Sequence, residues 1–312
     1  VLVEEELADF TTDKDTLLTI GVFDGVHRGH QHLIEALKRQ AEEKGWLPGV
    51  VTFRQHPEAV LAPGNNLPFL TDIQTRLNFL KEQGVALIVP LSFTAELAKL
   101  PARRFVGLLQ KHLRMRGLVI GADFALGKGR EGSPGALKKL GKEMGFTVTV
   151  VPPLEINGEV VSSTAIRRAM AAGDMEKVRR LTGRYFRLHG RVVHGEGRGE
   201  GLGFPTANLN VAPGQSLPPD GVYAALARVN GHTYPSMTNI GRNPTFGDNK
   251  LSIEAYLLDY SGDLYGHELK VDFVARLRDE KRFASADELK RQVAADVKKG
   301  KAILDRTSVK QP

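Results

Sequence analysis

Leu17-Leu18-Thr19-Ile20-Gly21-Val22-Phe23-Asp24-Gly25-Val26-His27-Arg28-Gly29-His30 is the stretch on which the fold turns. An apolar, partly β-branched run at 17–22 enters a Gly/Asp turn. A segment at 30–44 follows, in which Leu33, Leu37 and Ala41 recur every four positions, the spacing of a helix. Strand, turn and helix then repeat. Residues 50–53, 86–89, 117–121 and 146–151 read as further strands. Helices over 71–83, 96–112 and 134–144 separate them, with Gly84 placed to stop the first. This alternation predicts a parallel sheet with helices on both faces.

More helix follows at 165–181, and then the period changes. Short strands are expected at 186–193, 221–229, 236–240, 252–258 and 268–274, with Gly/Asn/Pro-rich turns between them. The segment 252–258 alternates, with Ile253, Ala255 and Leu257 on one face and Ser252, Glu254 and Tyr256 on the other. That pattern predicts a small antiparallel barrel or sandwich. A last helix at 286–300, carrying Leu289, Val293 and Val297, would cover it. Two domains are expected, 1–183 and 184–312, in keeping with 312 residues at roughly 150 per domain.

Composition narrows the class. Hydrophobic residues at 41% and charged residues at 25% suffice for a core and exclude a wholly disordered chain. No apolar run reaches the roughly 18 residues of a membrane span. The acidic opening Glu4, Glu5, Glu6 and Asp9 has the wrong charge for a secretory leader. Cysteine is absent, which removes disulfides, thiolate metal sites and cysteine nucleophiles, so a cytoplasmic protein is expected. A net charge of +7 suits nucleic acid and small polyanions equally. There is no basic stripe interleaved with aromatics, and no nucleic-acid, membrane or obligate protein partner is expected.

Three segments carry candidate chemistry. His27 and His30 fall at the start of the first helix, where free backbone N–H groups attract phosphate and an imidazole donor can meet developing phosphoryl charge. Alternatively they are two surface histidines in a polar turn. Ser162-Ser163-Thr164 with Arg167 and Arg168 either caps a helix or holds a triphosphate. Gly121 to Lys128 imitates a phosphate loop but has five residues between glycines where a Walker A loop has four, and Gly129 replaces its Ser or Thr. In the second half, glycines at 195, 197, 199, 201 and 203 precede Pro205-Thr206-Ala207-Asn208, a turn followed by oxygen-bearing side chains suited to Mg²⁺ and phosphate. Glu254, on the polar face of its strand, is either a general base for an alcohol or a solvent-facing glutamate.

These segments resemble a known family. His27-x-x-His30 with Ser162-Ser163-Thr164-x-Ile166-Arg167 is similar to the nucleotidylyltransferase superfamily. Residues 19–30, 121–132 and 161–174 together look like the adenylyltransferase module of bacterial bifunctional riboflavin kinase/FMN adenylyltransferases. Gly203-Phe204-Pro205-Thr206-Ala207-Asn208, Gly221-Val222-Tyr223-Ala224, Asn239-Ile240-Gly241 with Pro244-Thr245-Phe246-Gly247, Glu254, and Asp263-Leu264-Tyr265-Gly266 stand in the order of a riboflavin kinase.

The resemblance implies a Rossmann-like α/β nucleotidylyltransferase domain, then a six-stranded antiparallel β-barrel with a C-terminal helix. It implies phosphorylation of riboflavin to FMN, then adenylyl transfer from ATP to FMN giving FAD, both with Mg²⁺. By the same resemblance His27, His30 and Glu254 are catalytic. Gly21, Phe23, Asp24, Gly25, Ser162, Ser163, Thr164, Arg167, Gly195, Arg198, Gly203, Thr206 and Asn208 contact ATP or its phosphates. Asp123, Phe124, Asn243, Thr245 and Phe246 contact flavin, and Thr206 and Asn208 hold the metal. Two departures stand out. Arg54-Gln55 precede His56-Pro57 where the family commonly has an acid and a proline, and Glu200 follows Arg198-Gly199 where a basic residue or glycine is frequent.

Overall fold

The computed structural model describes residues 2–62, 64, 67–195, 203–243 and 250–308. Two compact units emerge, Val1–Ser163 and Thr164–Pro312. The first holds α1 (Val3–Ala8), β1 (Thr16–Ile20), α2 (Arg28–Lys44), β2 (Leu47–Phe53), α3 (Pro57–Leu61), α4 (Ile73–Glu82), β3 (Leu87–Leu91), α5 (Ala95–Ala98), α6 (Ala102–Leu113), β4 (Met115–Gly121), α7 (Pro134–Met144) and β5 (Thr147–Val151). A hairpin of β6 (Glu155–Ile156) and β7 (Glu159–Val160) closes it.

The five strands lie parallel in the order β3-β2-β1-β4-β5. Alternation on these strands builds two cores. Leu17, Val50 and Val119 pack under Ile34, Leu37 and Ala41 of α2 and Leu80 of α4. Leu18, Val51, Leu118 and Ile120 pack under Leu7 of α1, Phe105 and Leu109 of α6 and Leu137 of α7. The sheet is thus covered on both faces, as expected. Strand order reverses between β1 and β4, and the crevice at the carboxyl ends of such strands is where this class of sheet binds ligands.

The second unit holds α8 (Ser163–Ala171), α9 (Met175–Thr182), β8 (Phe186–Val193), β9 (Ala207–Val211), β10 (Gly221–Val229), β11 (His232–Asn243), β12 (Lys250–Leu257), β13 (Glu268–Arg278) and α10 (Ala286–Ser308). Its six strands close into an antiparallel barrel, β10-β11-β12-β9-β8-β13. Leu188, Tyr223, Ile253, Val271 and Phe273 are fully or almost fully buried in the barrel strands. Val222, Leu226, Met237 and Val274 form an outer cluster with Leu304 of α10. α10 is also anchored by charge. Arg278 grips Asp296 through Nε and Nη2 at 2.8–3.2 Å, with Asp296 only 5% exposed.

Some elements differ from the sequence reading. The helix expected over 96–112 is two, because Pro101 cannot continue a helix and instead serves as N-cap of α6. The stretch 165–181 is likewise split, at Gly173 (φ 70°) and the N-cap Asp174, whose carboxylate accepts from Lys177 N at 2.9 Å. The sixth barrel strand, β9, follows the Pro-Thr turn directly. α10 runs eight residues past the expected end at 300. The compact units divide after Ser163, and α9 packs on β8 and β13.

Candidate active sites

In the first unit the chain leaves β1 through a tight turn. Phe23 (φ 52°) and Val26 (φ 36°) both adopt the left-handed region, and Val26 is β-branched and fully buried. Such backbone persists only when its surroundings over-determine it. Asp24 is part of that restraint. It is 2% exposed, and its carboxylate accepts from Leu70 N at 2.9 and 3.0 Å and from Thr71 N at 3.3 Å. Gly25 N donates to Thr71 Oγ1 at 3.2 Å, and Ser163 Oγ donates to the Asp24 carbonyl at 3.3 Å.

The turn delivers His27 to the N-cap of α2. Its Nδ1 accepts from His30 N at 3.3 Å, and the two rings stack with centroids 3.6 Å apart. With Nδ1 an acceptor, the neutral imidazole carries its proton on Nε2 and offers an N–H there. Gly29 permits the helix start to sit close to the segment before α8: a Cβ would lie 2.8 Å from Val161 O.

His27, Gly29, His30 and His32 line a cavity of about 430 Å³ with Gly121, Ala122 and Asp123 at the end of β4, Val151 to Leu154 at the end of β5, and Val160 to Ser163. The cavity therefore lies at the strand-order reversal. Of the predicted residues it brings together His27, His30, Asp123, Ser162 and Ser163. Phe23, Asp24 and Gly25 are buried beneath it, and none of them or Gly21 is among its walls. Phe124 packs against the core on the α6 face. Thr164 and Arg167 begin α8 in the second unit, the first exposed and the second half-buried. Arg54 is exposed at the end of β2, and Gln55 Oε1 accepts from Phe93 N at 3.1 Å.

The second cavity, about 460 Å³, opens on the barrel beside β9 and β12. Gly195, Thr206, Asn208, Asp263 and Tyr265 are among its walls. Across the β9–β12 pair, Asn208 stands directly opposite Glu254. Thr206 Oγ1 donates to Glu254 Oε2 at 3.4 Å and Ser252 Oγ to Oε1 at 2.8 Å. Ser252 Oγ also reaches Asn208 Oδ1 at 3.4 Å. Sequence reasoning missed Ser252, although it shares the polar face of β12 with Glu254. A Cβ on Gly195 would overlap the Asn208 amide, so any larger residue there must displace that side chain. Gly203 is exposed in the turn before β9. Arg198, Thr245 and Phe246, with Glu200, lie outside the described residues, as does the side chain of Asn243.

A group of three or more His, Asp or Glu side chains able to hold a metal is absent among the described residues. The oxygens of Thr206 and Asn208, beside a carboxylate and a hydroxyl, nonetheless form the hard, neutral-plus-acidic set that suits Mg²⁺ arriving with phosphates.

Residues 9–165 match the FAD synthetase family and residues 182–304 the riboflavin kinase family. The bifunctional riboflavin kinase/FMN adenylyltransferase of Escherichia coli K12 is 39% identical over 282 residues, 90% of each chain. That of Bacillus subtilis is 34% identical over 301 residues, 95% of this chain and 92% of the other. A Streptococcus pneumoniae structure described as a macrolide-efflux protein superposes with a TM-score of 0.87 at 31% identity, covering 94% of this chain and 95% of that one. Among the described residues no helix is long and apolar enough to cross a membrane.

Proposed function

The chain belongs to the bifunctional riboflavin kinase/FMN adenylyltransferase family and carries both activities; on that premise we propose how its residues divide the work. Riboflavin and ATP give FMN and ADP, and FMN and a second ATP give FAD and pyrophosphate. We keep the functional boundary at 183/184, two residues inside the start of the riboflavin kinase match at 182. The efflux description of the streptococcal structure belongs to that protein alone.

The kinase step falls to the barrel. Its nucleophile is an alcohol, so a base must take the proton as the new P–O bond forms and the bond to ADP breaks. Glu254 is that base, taking the proton of the ribityl 5′-hydroxyl, and the hydroxyls of Thr206 and Ser252 hold its two carboxylate oxygens. Thr206 and Asn208 would hold Mg²⁺, which when bound offsets phosphate charge. This cluster is the observation that carries the assignment.

Adenylyl transfer falls to the α/β unit. Here the FMN phosphate attacks the α-phosphorus of ATP and pyrophosphate leaves. The nucleophile is already an anion, so the site needs donors and alignment more than a base. His27 offers Nε2–H to phosphate oxygen, His30 stands stacked beside it, and Ser162 and Ser163 line the same cavity. Thr164 and Arg167 are assigned further phosphate contacts, and Asp123 with Phe124 the flavin side. Small molecules are the partners proposed, and the cysteine-free composition supports a cytoplasmic setting.

Chromatography of flavin products from purified protein tests the division. With Mg-ATP and riboflavin, FMN should appear first and FAD later; with FMN, FAD should form directly. FMN accumulating without FAD would remove the first-unit assignment, with Arg54 the residue to revert first.

A further inference from the structure

Arg76 lies on α4, outside the walls of both cavities, yet it heads the fully buried side chains by volume. Its Nη1 donates to the Val22 carbonyl and its Nη2 to the Phe53 carbonyl, each at 2.8 Å. The guanidinium lies 4.7 Å from the ring centroid of Phe69. Burial pulls its pKa down to about 10, against the pull of Asp24 and Asp72 in the other direction.

These contacts converge on one place. Val22 immediately precedes the strained 23–26 turn, and Phe53 is the last residue of β2. Phe69 precedes Leu70 and Thr71, whose N–H groups hold Asp24. A buried cation costs several kcal/mol of lost hydration, and an apolar side chain of similar volume would fill the space without that cost. These two hydrogen bonds of Arg76 go to backbone carbonyls, one adjoining the turn and one at the end of β2, and so tie the start of the turn to the neighbouring strand.

We propose that Arg76 is a positioning residue for adenylyl transfer: by gripping the Val22 and Phe53 carbonyls it holds the 23–26 turn, and so sets the direction in which His27 and His30 enter the cavity. The proposal rests on the assignment of those histidines above.

The test uses Arg76→Met and Arg76→Lys in the full chain, with His30→Ala alongside. Folded Arg76→Met, verified by its thermal melt, should form FAD from FMN with a kcat about 100-fold lower, the scale of loss for misplaced catalytic groups. Its KM for FMN should stay within about twofold, and riboflavin phosphorylation should continue at the wild-type rate. Arg76→Lys should recover part of the kcat near neutral pH. That recovery should fade as pH rises from about 7 to about 9.5, because a buried ammonium loses its proton at lower pH than the guanidinium it replaces. Asp24 and Asp72, with His56 across the Phe69 ring, face this site in both proteins, so the wild-type profile is the reference against which the Arg76→Lys profile is read.

Wild-type kcat in folded Arg76→Met overturns the proposal. If that variant does not fold, Arg76→Lys decides: wild-type kcat with a flat pH profile overturns it equally. His30→Ala separates the two layers. Full FAD formation in that variant removes the histidine assignment, whatever Arg76 shows.

Discussion

The two cavities are of nearly equal size, about 430 and 460 Å³, yet they are built on opposite logic. In the α/β unit the functional groups hang on loops after parallel strands, and the central pair are stacked imidazoles at a helix start. In the barrel Thr206 and Asn208 line the cavity, and the Glu254 carboxylate, which is not among its walls, stands opposite Asn208 and accepts from the hydroxyls of Thr206 and Ser252. On the proposed assignment the difference follows the nucleophile. An alcohol must lose a proton during attack, which calls for a base held rigidly; a phosphate monoester arrives as an anion and calls for donors.

The comparison can be broken most sharply at Glu254. Glu254→Gln should lower riboflavin phosphorylation by roughly 10²–10⁴-fold while supplied FMN still becomes FAD, each measured by product chromatography. His30→Ala is the mirror image, with FAD formation falling roughly 10²–10³-fold and the kinase rate within about twofold. If either variant, folded, stopped both reactions, the two-site division would fail.

Smaller effects sharpen the contrast. Gly195→Val would push a side chain into the Asn208 amide and should raise KM for Mg-ATP in the kinase reaction alone, by about tenfold. Asp296→Ala leaves Arg278 half-satisfied under α10 and should cost the barrel unit about 3 kcal/mol, read as a lower melting midpoint for that unit only.

Alkaline pH should separate the units by sign. Burial pushes Tyr223 up to about 12, its hydroxyl bonded to Pro219 O at 2.5 Å, so the folded barrel keeps a proton that the unfolded chain releases near 10. Its contribution is complete below about pH 10 and lost toward about 12. Arg76 works in reverse, since its lowered pKa makes the buried charge a cost that lifts above about pH 10. Tyr223→Phe should flatten the barrel's slope in denaturant titrations across this range and leave the other unit's unchanged.

Much of this was legible in the sequence, and what was not has physical causes. The period of apolar residues located the parallel strands and five of six barrel strands, because each buries one face. The missed strand, β9, does alternate Ala207, Leu209 and Val211, but at five residues after a proline turn it read as part of that turn. The histidine pair and Glu254 stood out through their place at a strand–turn–helix junction and on a polar strand face. The resemblance assigned Asp24 a phosphate contact, and its part as a clamp was not readable, since Leu70 and Thr71 lie 46 and 47 positions away. Arg76 was hidden for the same reason. Next to Leu77 in a helical pattern it looks like an ordinary flanking cation, and only the folded chain brings Val22 and Phe53 to it.

Each unit has its own core and its own cavity, but one chain carries both. Every molecule synthesised therefore adds one kinase and one adenylyltransferase, in fixed one-to-one number. The balance between FMN and FAD cannot be set by making more of one catalyst than the other. It has to be written into the rate constants of the two sites, so a single substitution such as one at Arg76 or Gly195 is expected to change the ratio of two coenzymes as well as the yield of one.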